Sequence, residues 1–136
     1  MNHRTERLTQ PLTSHKLWPV PACPLECRNP AQRLCHLVAL ATAAAFAIPI
    51  GELTAASRRT PYVAFARQSA MYLAHVACGL SYSEVGRAFG RDRTTAAYAC
   101  QLIEDRRDDP AVDAVLGSLE NACSALCRRL GAAVRS

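Results

Sequence analysis

At 136 residues the chain is long enough for one domain with a core of its own, and too short to hold a nucleotide-hydrolysing module beside a DNA-binding one. Half of its residues are hydrophobic but only 6% are aromatic, with alanine abundant, which favours close-packed helices over sheets and predicts an all-α fold. The net charge of +5, carried by 16 basic residues of which only Lys16 is not an arginine, suggests a polyanionic partner without choosing between nucleic acid and an acidic surface.

Residues 1–29 read as a flexible Pro-rich tail, because Pro11, Pro19, Pro21 and Pro24 interrupt helix and strand alike among polar neighbours. No apolar core occurs in the first thirty residues, so a signal peptide is not expected and a cytoplasmic location is. The seven cysteines, an odd number, are Cys23, Cys27, Cys35, Cys78, Cys100, Cys123 and Cys127. They argue against a closed disulfide framework. Cys23 and Cys27 with Cys35-His36 carry zinc-binding atoms, but their spacing and the intervening Pro24 and Pro30 favour free thiols; no metal or other cofactor is expected.

Asn29-Pro30 offers a cap and first helical position, opening a helix over 31–47 with Leu34, Leu37, Val38 and Ala41 on its buried stripe. The run from Leu34 to Ile50 reaches the short limit for a membrane span. Its alanine content, His36 and the following Pro49 and Gly51 favour a core helix and no membrane. Residues 50–56 have room for one or two helical turns before the basic pair Arg58-Arg59. Thr60-Pro61 then caps a helix over 61–77, with Val63, Ala66, Ala70, Leu73, Ala74 and Ala77 at helical spacing and Gly79 as its terminator.

Ser81-Tyr82-Ser83-Glu84 is a capping box, so a short helix follows to about Phe89, with Gly90 free to take positive φ. Asp92 caps the next helix, over 93–107, whose inner stripe is Ala96, Ala99 and Ile103, with Cys100 close to it. Arg106 and Arg107 read as a solvated helix end. Beyond Pro110 the apolar positions Val112, Val115, Leu116, Leu119, Cys123, Leu126 and Leu130 keep a helical period over 111–131. This last amphipathic helix packs either on its own domain or on a partner, a second copy included, and Cys123 and Cys127 read as small core residues.

Two short helices joined by a Gly-containing turn, the second opening with Arg93-Thr94-Thr95, form a helix-turn-helix candidate. Arg93, Thr94, Thr95 and Tyr98 share its outward face. Arg donates two hydrogen bonds to guanine, Thr meets a thymine methyl or a phosphate, and Tyr98 reaches the backbone or a base one turn later. No Ser, His and acid set and no paired carboxylates stand out, so the chain reads as a non-enzyme.

The words ARQSAMYLA (66–74), GLS (79–81), EVGRAFG (84–90), RDRTT (91–95), AC (99–100) and IE (103–104) together resemble domain IV, the C-terminal DNA-binding domain of the bacterial replication initiator DnaA. Residues 48–53 and 57–60 extend the resemblance as that family's short helix and basic loop, so it covers 31–107. It implies a multi-helix, Trp-repressor-like bundle over residues 30–107 that binds a short A·T-rich box in double-stranded DNA. By resemblance Arg59, with Arg58 beside it, enters the minor groove. Asp92, Arg93, Thr94 and Thr95 match the major-groove segment, Gln68 and His75 match phosphate-contacting positions, and Tyr98 matches a further contact. The family's Gly-Gly-Arg-Asp is here Gly90-Arg91-Asp92, one residue shorter, and its His is here Arg93, so the preferred box is expected to differ. No phosphate-cradling loop with a Walker lysine occurs, so no ATP binding is expected. The resemblance therefore implies a stand-alone, nucleoid-associated DNA reader acting in replication initiation or transcription; the alternative is a protein-interaction module that keeps the fold and binds DNA weakly.

Overall fold

A computed structural model of the protein describes residues 29–54 and 60–135, with side chains to Leu130. The tail reading, Cys23 and Cys27, and Arg58 and Arg59 therefore fall outside the described residues. The elements are α1 (Pro30–Ala45), α2 (Ile50–Leu53), α3 (Pro61–Val76), α4 (Tyr82–Ala88), α5 (Arg93–Arg106) and α6 (Pro110–Arg135), and no strand occurs among the described residues.

Each long helix starts where a short polar side chain can take an orphan amide. Asn29 Oδ1 accepts from Ala31 N at 2.9 Å, and Thr60 Oγ1 accepts from Val63 N at 3.2 Å. Pro follows both caps, where its missing N–H is no loss. α1 ends by a left-handed residue, but that residue is Ala47, at φ 55°. Ile48 N reaches Ala43 O at 2.9 Å there, a closure that usually employs glycine.

α3 is the centre of the molecule. It packs against α1, α5, α4 and α6, and Ala70, Met71, Tyr72, Leu73 and Ala74 are consecutive buried residues on it. Its small residues let neighbours approach closely while Met71 and Leu73 fill the space between them. Leu53, Leu73, Ile103 and Leu116 are fully enclosed; truncating such a leucine to alanine costs about 2–5 kcal/mol.

Two predicted faces differ from those observed. On α1 the core takes Cys35, Val38, Ala39, Thr42 and Ala43, while Leu34 and Ala41 only pack at its edge. Thr42 is tolerated inside because its hydroxyl donates to Val38 O at 2.7 Å. A helix apolar on nearly every side has no preferred face of its own, so its neighbours choose it. On α6, Leu116, Leu119 and Cys123 are buried, whereas Val115 is 47% and Leu126 39% exposed.

Cys127 is not a small core residue. It forms a disulfide with Cys78, across a sequence separation of 49 and a Cα–Cα distance of 5.5 Å, within the range that a disulfide spans. The thiols of Cys35, Cys100 and Cys123 are free and buried. Burial, and then the charge of Glu84, pushes Cys35 up to about 12, which leaves it protonated and inert at neutral pH.

The two arginines read as solvated are also engaged. Arg106 lies over the Phe65 ring, 4.5 Å from its centroid. Arg107 donates to Asp113 Oδ1 at 2.6 Å, to Glu120 Oε1 at 2.8 Å and to the Tyr72 hydroxyl at 3.1 Å. One guanidinium thus joins the end of α5 to α3 and α6, and these partners hold its charge on more firmly than usual. Among the described residues no helix is long and apolar enough to cross a membrane.

Candidate nucleic-acid interface

α4 and α5 meet through four residues, Phe89 to Asp92. The capping box at the start of α4 is complete: Ser81 N donates to Glu84 Oε1 at 2.9 Å and Glu84 N to Ser81 Oγ at 3.1 Å. Gly90 takes φ 68°, and Arg91 N returns to Gly86 O at 2.7 Å. This closure needs a second glycine. A Cβ on Gly86 would lie 2.8 Å from Asp92 O and 2.9 Å from Arg91 O, inside any real contact, so the turn rests directly on the backbone of α4.

Asp92 launches α5. Its Oδ1 accepts from Thr95 N at 2.8 Å and from the Thr94 hydroxyl at 2.8 Å. These hydrogen bonds, led by the backbone one from Thr95, hold the carboxyl below its usual range. Asp92 is therefore the helix cap, with Oδ1 committed to its own helix. Thr94 itself is exposed.

The structure brings some of the expected residues together and separates others. Gln68 of α3 lines one cleft with Thr95 and Tyr98 of α5, along with Arg67, Met71, Arg91 and Leu102. Arg93 and Thr94 stand exposed at the start of α5, and Tyr98 is 63% exposed one turn on. His75 does not line the cleft. The Leu80 carbonyl can only accept, so Nδ1 of His75 donates to it at 2.7 Å, and the ring stacks on Tyr82 with centroids 4.2 Å apart. That leaves Nε2 for any further partner.

Two arginines of the cleft escaped the candidate set. Arg67 is only 7% exposed, and its Nε donates to Leu53 O at 3.0 Å, tying the end of α2 to α3. Arg91 Nη1 bonds the Phe89 and Gly90 carbonyls within the turn, at 3.3 and 3.4 Å. Arg67 sits one place before Gln68 and one turn before Met71, so its helical spacing carried the signal. Arg91 lies in the turn itself, within reach of either phosphate or solvent by sequence alone, and the turn's path decides where it points. Among the described residues no group of three or more His, Cys, Asp and Glu side chains is placed to hold a metal ion.

The profile of the family described as bacterial dnaA protein helix-turn-helix matches residues 35–103. The chromosomal replication initiator proteins DnaA of Acinetobacter baumannii strains AYE and SDF are each 43% identical to the chain over 70 residues, 50% of this chain and 15% of the initiator. The chain thus spans a small part of the length of the curated relatives it matches. A crystal structure of a DNA replication initiation factor shares the fold, with a TM-score of 0.64 at 24% identity over 72% of this chain and 30% of that one. All of α2 to α4 and nearly all of α5 lie within the family match, and α6 lies beyond it.

Proposed function

The chain belongs to the bacterial DnaA helix-turn-helix family, and on that premise we propose that it is a non-enzymatic, sequence-specific reader of double-stranded DNA at A·T-rich sites resembling the DnaA box. α5 enters the major groove by its first two turns, with Arg93, Thr94 and Thr95 toward base edges. Gln68 and His75 hold phosphates, Tyr98 makes a further contact to the backbone or a base, and Arg59, beside Arg58, takes the minor groove, where narrow A·T tracts attract arginine. Asp92 contributes by fixing the start of α5. The protein acts in replication initiation or in transcription, at the bacterial nucleoid in the cytoplasm.

The observation that carries this reading is the exposure of Arg93, Thr94 and Tyr98 on the opening turns of a second helix whose other face is buried at Ala96, Ala99, Cys100 and Ile103. A helix so divided presents polar groups outward from a rigid base, as groove readout requires. Gel shifts with a family-box duplex and a scrambled one, across a salt series, test it. The box duplex is expected to bind at least about tenfold more tightly. Arg93→Ala is expected to erase much of that preference, and Gln68→Ala to weaken both duplexes alike. Equal binding to the two duplexes, lost at modest salt, overturns sequence specificity.

A further inference from the structure

We propose that the outer face of α6 is a self-association surface, on which two copies of this chain pack their α6 helices antiparallel about a two-fold axis. The inner face of α6 is already occupied, since Leu116, Leu119 and Cys123 are buried against α1 and α3. A second stripe, Ala111, Val115, Ser118, Ala122 and Leu126, recurs at spacings of 4, 3, 4 and 4, and every member is exposed. Such spacing keeps side chains on one side of a helix over several turns, which a surface with no partner has no need of. The stripe borders an apolar groove lined by Ala45, Ala114, Val115, Ser118 and Leu119. A second groove, lined by Phe46, Phe65, Ala111, Val112, Val115 and Leu116, shares Val115 with the first.

The charge at the two ends of the helix selects a second copy as occupant. Asp108 and Asp109 are exposed just before α6, and Arg128 and Arg129 are exposed in its later turns. Asp109 also caps the helix, accepting from Ala111 N at 2.9 Å, which leaves its charge in place. Antiparallel pairing about an axis beside Ser118 brings the Asp108-Asp109 end of one copy to the Arg128-Arg129 end of the other. The same register faces Ala111 with Leu126 and Val115 with Ala122. Large residues then meet small ones, so the layers interdigitate. Each contact occurs twice, as an isologous interface demands. A parallel pairing would set like charges together and large residues beside each other. α5 packs against α3 and α4, so each copy keeps its own α5 outside this interface.

Sedimentation equilibrium of the full chain, after native alkylation with iodoacetamide to prevent intermolecular disulfides, is the test, over about 1 to 200 µM. A reversible dimer is expected. Val115→Glu is expected to weaken it by at least about tenfold, with a thermal midpoint unchanged at the dilute end of that range, where both proteins are monomeric. Reversing the acidic pair alone (Asp108→Arg with Asp109→Arg) is expected to weaken it as well. Adding Arg128→Asp with Arg129→Asp to the same chain restores the pairing, because each reversed end meets its complement on the other copy. A monomer at every concentration overturns the proposal and leaves the face to a different protein. A dimer that survives Val115→Glu, or that the four-residue exchange fails to restore, overturns it too, and the exchange keeps the test decisive should Val115→Glu misfold.

Discussion

Gly86 carries a demand that its place in the word EVGRAFG does not explain. Its missing Cβ is what allows the carbonyls of Arg91 and Asp92 to lie against α4, so Gly86→Ala must push the shortened turn away and tilt α5. The expected result is a loss of thermal stability of about 1–3 kcal/mol, with specific DNA binding falling further than folding does in the same titration. A native-like midpoint with unchanged binding would contradict it. Asp92 makes the opposite case, because its role was legible from position alone: a cap is an interaction across three residues, and Thr95 N at 2.8 Å is where the spacing put it. Its pKa is lowered in the folded chain, so its contribution is present above the unfolded value of about 3.9 and is lost as pH falls through the folded one. Asp92→Asn, which caps equally well when neutral, is expected to flatten the acid limb of stability measured by circular dichroism between about pH 5 and pH 2. An identical limb in both proteins would show that the cap does not titrate with folding.

At the scale of elements, α6 shows what pattern reading can and cannot reach. Its existence and helical period were legible from Val112 to Leu130, yet two of those seven apolar positions, Val115 and Leu126, point outward. The attachment of the helix depends on Arg107, which bonds Asp113, Glu120 and Tyr72, and on the disulfide from Cys127 to Cys78. Both join residues distant in sequence, so no local rule announces them. Arg107→Ala leaves two carboxylates and a phenol without their shared cation and, because Asp113 and Glu120 stay in contact with water, is expected to lower stability by about 0.5–1.5 kcal/mol. Breaking the disulfide by Cys127→Ser frees a loop of 49 residues, worth up to about 4 kcal/mol in the chain-entropy account. Hydrogen exchange in either variant is expected to rise first in α6, with α4 and α5 still protected. Uniform acceleration across the chain would show instead that α6 folds as one unit with the rest.

Across the whole molecule, the charge of +5 acts through its placement. If Arg93, Gln68, Tyr98, His75 and the basic pair at 58 and 59 meet one stretch of duplex, the affinity must fall steeply with salt, by a slope set by the phosphates neutralised. Arg59→Ala is expected to make the logarithmic salt dependence shallower by about one unit, as read by fluorescence anisotropy; an unchanged slope would remove Arg59 from the interface. The amino-acid sequence by itself determined the all-helical class, the caps at Asn29, Thr60, Ser81 and Asp92, and the family words from 66 to 104, because caps, turns and helix periods depend on residues within a few positions of one another. Only the tertiary structure decided which face of α1 and α6 enters the core, that Cys78 pairs with Cys127, that Arg107 binds α6 rather than solvent, and that Gln68 shares a cleft with Thr95 and Tyr98. Alanine-rich helices are nearly as apolar on one side as on another, so their orientation is chosen by the neighbours that fit against them, and those neighbours are brought close only by folding.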